Sequence, residues 1–209
     1  MKKIVLLAGI VFSSTILAGC SGKSPNSSDT QTTNSSIVKN NYKYYAKDKT
    51  FYSPKGSLAI NKLIGYTKDS NNYFILDVTY KNASKKQQDA TSIMSPNIEA
   101  YQLNKDKSQK VHLDGSNSAS DYFNTDDINN YNKMNEIIDG HSNKILPEKT
   151  AHTLMEFSYK LNNSTNNITF SLSDPNATSN ETVNPKKNQI TFNAHSISYN
   201  SLNTNDYNN

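Results

Sequence analysis

Two stretches that alternate apolar and polar residues at a period of two restrict this chain to a β-rich fold. The first is Tyr73-Phe74-Ile75-Leu76-Asp77-Val78-Thr79-Tyr80, and the second covers residues 152–161. In an extended strand successive side chains point to opposite faces. Phe74, Leu76, Val78 and Tyr80 therefore share one face. Thr153, Met155, Phe157, Tyr159 and Leu161 share another, with His152, Leu154, Glu156, Ser158 and Lys160 opposite. The expected core is Phe74, Leu76, Val78, Phe157 and Tyr159.

Weaker strand patterns fill the rest. Leu58, Ile60, Leu63 and Tyr66 read as a strand with an irregularity near Asn61-Lys62, and Asp69-Ser70-Asn71-Asn72 as the following turn. Residues 98–103, 109–113, 168–172, 190–192 and 197–199 add short strands. Seven or eight strands separated by polar turns predict an antiparallel β-sandwich. One segment departs from this. Ile128, Tyr131, Met134 and Ile138 are spaced for a single short helix over 125–140, with Thr125 as cap, Asp126 and Asp127 at its positive end and Gly140 past its last turn.

Composition bears on how much of the chain can fold. Leu, Ile, Val and Phe make up 42 of 209 residues, close to the level at which chains stay disordered. Thirteen Tyr supply the missing apolar area. One globular domain with polar flanks is the expectation. All 22 basic residues are Lys, so the planar guanidinium fork that reads bases and phosphates is absent. Nucleic acid is not an expected partner.

The first 20 residues, MKKIVLLAGIVFSSTILAGC, place Lys2 and Lys3 before a mostly apolar stretch, residues 4–17. That stretch is shorter than the roughly 20 residues of a membrane span and reads as a secretory signal. Leu17-Ala18-Gly19-Cys20 resembles the lipobox of bacterial lipoproteins. The resemblance implies that signal 1–19 is removed, that the Cys20 sulfur carries diacylglycerol, and that the mature chain sits lipid-anchored on the outer face of the cell membrane. Two acyl chains give stable anchoring where one is marginal. Cys20 is the one Cys of the chain, so no internal disulfide forms. Abundant Lys, Asn, Ile and Tyr without Arg suggests an AT-rich genome and a Gram-positive surface.

Residues 20–52 are expected to be a flexible tether. Residues 21–36 hold no apolar side chain and cannot offset the entropy of ordering. About 30 such residues reach roughly 30 Å. The end of the tether is rich in Tyr and Lys. Counting Lys39, Lys43, Lys47, Lys49, Lys55 and Lys62 against Asp48, residues 39–62 carry net +5. Lys39, Lys43, Lys47 and Lys49 are the candidate contacts to an anionic envelope polymer or lipid; an ordinary solvated linker is the alternative. The domain is expected over 53–200, followed by a polar tail over 201–209.

Residues 73–174 resemble the secreted immunoglobulin-like domains of unknown function in Gram-positive lipoproteins, relatives of the telokin-like, immunoprotective extracellular immunoglobulin-like group. The resemblance rests on the strand 74–80 leading into Lys81-Asn82-Ala83-Ser84, on Ala100-Tyr101-Gln102, and on Ile145-Leu146-Pro147 before the strand 152–161. It implies an immunoglobulin-like sandwich and transfers no catalytic residue.

Catalytic patterns are sparse. His112, His141, His152 and His195 show no i, i+4 metal pair, and neither G-x-S-x-G, P-loop nor G-x-G-x-x-G occurs. Residues 114–139 carry Asp114, Asp121, Asp126, Asp127, Glu136 and Asp139 against Lys133, net −5. They lack the spacing of a calcium loop and read as a solvated acidic face. No cofactor is expected. The expected function is non-enzymatic: a binding or interaction module at the envelope. A surface exclusion or immunity lipoprotein is the alternative, with an envelope-acting enzyme or an importer receptor behind it.

Overall fold

The computed structural model describes residues 42–94, 97–115, 117–123, 126–173 and 183–207. The signal segment, Cys20, Lys39 and the cap assigned to Thr125 lie outside the described residues.

Eleven strands occur among the described residues. They are β1 (Tyr45–Lys47), β2 (Thr50–Ser53), β3 (Gly56–Lys68), β4 (Asn71–Asn82), β5 (Asn97–Leu103), β6 (Lys110–His112), β7 (Asn117–Ser118), β8 (Thr150–Lys160), β9 (Ile168–Ser173), β10 (Gln189–Phe192) and β11 (Ser198–Tyr199). Two helices join them, α1 (Ala90–Ile93) and α2 (Ile128–Asp139). The first sheet runs β1-β2-β3-β4-β8-β7, and the second runs β10-β9-β5-β6. Every pairing between these strands is antiparallel except that of β11, which lies parallel to β3 at Ile64 and Gly65. Strand β3 is long enough to be shared on one side: β2 takes residues 56–59 and β11 takes 64–65. The fold is a mostly β sandwich with one helix of more than a single turn, as the alternation predicts.

The core between the sheets follows from the period of two. Phe74, Leu76, Val78 and Tyr80 of β4, with Leu58, Ile60 and Leu63 of β3, meet Phe170, Leu172, Ile190 and Phe192 of the second sheet. The rings of Phe74 and Tyr159 stack at 5.3 Å, and Phe170 sets its edge to Phe74, Tyr159 and Phe192 at 5.9–6.2 Å. Full burial of each such side chain stabilises the fold by about 1.5–3 kcal/mol. The register of β3 against β4 shifts between Ile60 and Lys62, at the irregularity read from Asn61-Lys62. That shift keeps Leu63 on the core side with Ile60.

A second core covers the opposite face of the first sheet. Ile64, Tyr66, Ile75 and Leu154 pack against Met134, Ile137 and Ile138 of α2 and against Tyr207. The first sheet is therefore buried on both sides, and one-face alternation describes only half of it. Helix α2 begins one residue after Asp127, whose carboxylate accepts from the Asn130 backbone N–H and from Asn130 Nδ2. The stripe expected on α2 holds at Met134 and Ile138, but Ile128 is 55% exposed.

Three expectations are corrected. Phe157 is not core: it is 44% exposed. Strand β8 passes from Ser158 opposite Ile75 to Leu154 opposite Asp77, so residues 155–157 bulge across the single residue Leu76. Phe157 sits in that bulge, opposite Ser118 of β7. Leu154, expected outside, lies in the second core because α2 covers that face of the sheet. Next, the tether does not reach residue 52. Residues 45–53 form β1 and β2, Phe51 is fully buried, and Tyr45 stacks on Tyr52 at 4.9 Å. The aromatic residues among the lysines supply the burial that makes this segment part of the sheet. Finally, the chain expected as a polar tail packs on the domain as far as Tyr207: residues 204–207 form a 3-10 turn with Thr204 and Tyr207 buried.

Gly56 has a strict local reason. A Cβ there would lie 1.8 Å from the Lys81 carbonyl oxygen, so no other residue fits where β2 turns into β3.

Candidate functional site

The first sheet carries one buried carboxylate on its helix-covered face. Asp77 follows Ile75 at period two on β4 and is 2% exposed. It lies opposite Lys62 on β3 and Leu154 on β8. The bulge at Asn61-Lys62 turns the Asn61 amide toward it, and Asn61 Nδ2 donates to Asp77 Oδ1 at 2.7 Å. His152 stands on β8 opposite Thr79, and its Nε2 meets the same Oδ1 at 2.8 Å. Tyr207 arrives from the far end of the chain and donates its hydroxyl to Oδ2 at 2.7 Å. Lys62 Nζ lies 3.6 Å from Oδ2. The carboxylate is fully engaged, as a buried charge requires.

An ionised carboxylate only accepts, so the His152 Nε2 donates in this contact and Nδ1 is left for another partner. His152 also packs against the Tyr207 ring, with centroids 4.7 Å apart and the planes tilted by 36°. Burial, and after it the hydrogen bond and charge of Asp77, push the Tyr207 phenol well above its ordinary range. The hydroxyl therefore stays protonated and remains a donor.

His152 and Tyr207 line a cleft of about 630 Å³ between the end of α2 and the start of β8. Ile137, Ile145, Leu146 and Ala151 supply its apolar wall, and Glu136, Asn143, Lys144 and Lys149 its polar rim. Leu146 is 51% exposed there. A concave apolar wall with a few converging polar groups is the usual character of a small-molecule site. With Nε2 held on Asp77, the imidazole can hydrogen-bond a ligand through Nδ1. Elsewhere on this sheet face Tyr66 OH is 2.8 Å from Ser158 Oγ, and burial raises the Tyr66 phenol to about 12, opposed in part by that hydrogen bond.

The residues singled out by sequence lie elsewhere. Lys43, Lys47 and Lys49 are exposed at the β1–β2 end, and Lys49 Nζ sits 5.0 Å over the Phe192 ring. Of the His residues, His112 is on β6 and His195 on a 3-10 turn, so the chain does not bring them to His152. Among the acidic residues of 114–139, Asp121 pairs with Lys68 at 3.3 Å, Asp127 caps α2, and Glu136 lines the cleft. Among the described residues no three His, Cys, Asp or Glu side chains gather where they could share a metal ion. No helix among them is long and apolar enough to cross a membrane.

No protein-family model matches the chain, and no curated protein matches it. Solved structures do. A chain from Staphylococcus aureus, provisionally described as a lipoprotein, aligns with TM-score 0.51 at 13% identity, over 77% of this chain and 98% of that one. A protein from Enterococcus faecalis aligns with TM-score 0.43 at 15% identity, over 72% of this chain and 92% of that one. At 13% identity the Staphylococcus likeness is one of fold.

Proposed function

We propose that this chain is a lipid-anchored protein of a Gram-positive cell surface, and that its sandwich is an immunoglobulin-like module that acts by binding. The observation that carries the anchor is Leu17-Ala18-Gly19-Cys20, with the chain's one Cys at the position the lipobox requires. The fold likeness to a Staphylococcus aureus chain provisionally described as a lipoprotein supports it. The signal is removed before Cys20, the sulfur takes diacylglycerol, and the domain sits on the extracellular face. The cleft beside His152 is the place where this module takes a ligand. Its Asp77-held imidazole and apolar wall suit a small organic molecule with a hydrogen-bonding group. The module performs no reaction on it.

Anchoring is tested by growing cells with labelled palmitate. Wild-type chain takes the label; Cys20→Ala stays unlabelled and is either unprocessed or released. Equal labelling of both would overturn the anchor. For the cleft, His152→Ala should abolish the thermal upshift given by hits from a small-molecule screen against the wild-type chain. Hits that stabilise the variant equally bind elsewhere.

A further inference from the structure

The outer face of the second sheet carries a different kind of surface. Thr191 of β10 pairs with Thr169 of β9, Thr169 with Tyr101 of β5, and Tyr101 with His112 of β6. The residues beside them in sequence, Ile168, Phe170, Ala100 and Phe192, enter the core. By the period of two this rung of hydroxyls, phenol and imidazole points outward. It runs into a groove of about 320 Å³ whose lining includes Tyr101, Thr169, Thr191, Asn167, Lys107 and Lys110.

The walls of the groove are held by hydrogen bonds rather than left loose. Gln102 is fully buried, and its amide ties down the β8–β9 connection: Nε2 donates to the carbonyls of Asn163 and Asn166, and Oε1 accepts from the N–H groups of Asn162 and Asn163. Asn166 Nδ2 donates in turn to the carbonyls of Leu103 and Asn104, at 2.8 and 2.9 Å. The β5–β6 connection closes on itself, with Asn104 accepting from the Gln109 N–H. The nearby Asp106 carboxylate is occupied by the Ser108 hydroxyl and N–H. A groove with fixed walls loses little entropy on binding.

Its chemistry is one-sided. Two ammonium groups and no carboxylate line it. Lys110 Nζ is held 4.5 Å over the Tyr101 ring, which fixes one charge over an aromatic face. The Thr169 and Thr191 hydroxyls lie 3.2 Å apart, so each has capacity left for a ligand oxygen. We infer that this groove binds a phosphate ester of a polyol: Lys107 and Lys110 take the phosphate, while Thr169, Thr191 and Asn167 hydrogen-bond the ligand's hydroxyl groups beside the Tyr101 ring. A volume near the lower end of the usual range, roughly 300–1,000 Å³, suits one sugar- or polyol-phosphate unit. This assignment does not depend on lipid at Cys20 or on the His152 cleft.

The test uses the full-length chain in a neutral detergent at low ionic strength. Binding of glycerol 3-phosphate, of a poly(glycerol phosphate) chain and of phosphatidylglycerol vesicles is measured by calorimetry and by amide shifts. Saturable binding of the monomer or the polymer, with shifts at Thr169 and Thr191, supports the assignment. Stronger binding of the polymer than of the monomer identifies a repeating chain as the source; binding of the vesicles with shifts at the same residues identifies a lipid headgroup. Lys107→Gln with Lys110→Gln should weaken binding roughly tenfold or more, the loss expected for one charge-assisted hydrogen bond. Thr191→Val should weaken the polyol ester but leave inorganic phosphate unchanged. Unchanged melting temperatures show that these surface variants fold. Absence of saturable binding, equal affinity for inorganic phosphate and the esters, or indifference to the two Lys changes would each overturn the inference.

Discussion

Replacing Tyr207 by Phe isolates the contact between the far end of the chain and the buried carboxylate. The ring stays, and with it the packing on His152 at 4.7 Å. What is lost is the 2.7 Å bond to Asp77 Oδ2, whose remaining neighbour is Lys62 at 3.6 Å. A hydrogen bond to a charged group contributes about 1.5–3 kcal/mol. Tyr207→Phe should therefore destabilise by about 2 kcal/mol, a fall in Tm of roughly 4–8 °C for a domain of this size. Asp77→Asn keeps the volume; its oxygen can still accept from Asn61 and His152, while its NH2 must donate to the Tyr207 oxygen, so charge-assisted bonds become neutral ones. The weakening is about 1 kcal/mol at each of the three short contacts, offset in part by relief of a buried charge. In the Asn background Tyr207→Phe should cost only about 0.5–1.5 kcal/mol. Urea denaturation of the four proteins closes the cycle, with a coupling of about 1 kcal/mol expected between the two sites. Losses that add without coupling, or a Tyr207→Phe variant within 0.5 kcal/mol of wild type, would refute the account.

The bulge in β8 makes a contrasting pair. Phe157→Ala should cost less than about 1 kcal/mol, as at other exposed positions, while Phe170→Ala in the central aromatic cluster should cost about 3–5 kcal/mol by denaturant titration. Alkaline titration should unfold the domain. Burial raises the phenols of Tyr66, Tyr80, Tyr159 and Tyr207 above 10.0, Tyr66 to about 12. The unfolded chain loses these protons first, so stability is intact below pH 10 and falls as pH rises toward and through 12, read by circular dichroism. At the other end of the sheet, cosedimentation with anionic vesicles should weaken as salt rises. Changing Lys39, Lys43, Lys47 and Lys49 to Gln should remove most of it, at a cost of at most about 1 kcal/mol for the Lys49 ring contact. Binding indifferent to those four changes would leave the segment a structural edge only.

The strands of this fold are legible wherever one face meets the inter-sheet core. Phe74, Leu76, Val78 and Tyr80 alternate cleanly, and the β3 irregularity shows in the sequence because two polar residues interrupt the alternation between Ile60 and Leu63. The second core is less legible. Ile64, Ile75 and Leu154 occupy positions that alternation assigns to solvent, because a helix covers that face too. The β8 bulge is hidden for a related reason: Met155 and Phe157 keep an apolar period that the pairing with β4 then breaks. The site residues stand furthest from view. Asp77 reads as the polar position of a strand, and nothing near residue 207 indicates that its hydroxyl meets a carboxylate 130 positions earlier. The one local signal is a Tyr among the polar residues 203–209.

The parallel pairing of β11 with β3 bears on how such a chain is made. Strand β3 has its upper flank filled by residues 198–199, and Asp77 gains its buried donor from residue 207. In N- to C-terminal synthesis β3 and β4 emerge long before either partner. Until then Ile64 and Ile75 lack the cover of residue 207, and the buried carboxylate lacks its phenol. Closing loops of more than 100 residues is slow compared with forming hairpins. The hairpin of β3 and β4 can form early, but the finished sheet waits on residues 198–207. A chain truncated before residue 198 would keep that face of its central sheet without the cover of residue 207, and so open to proteases.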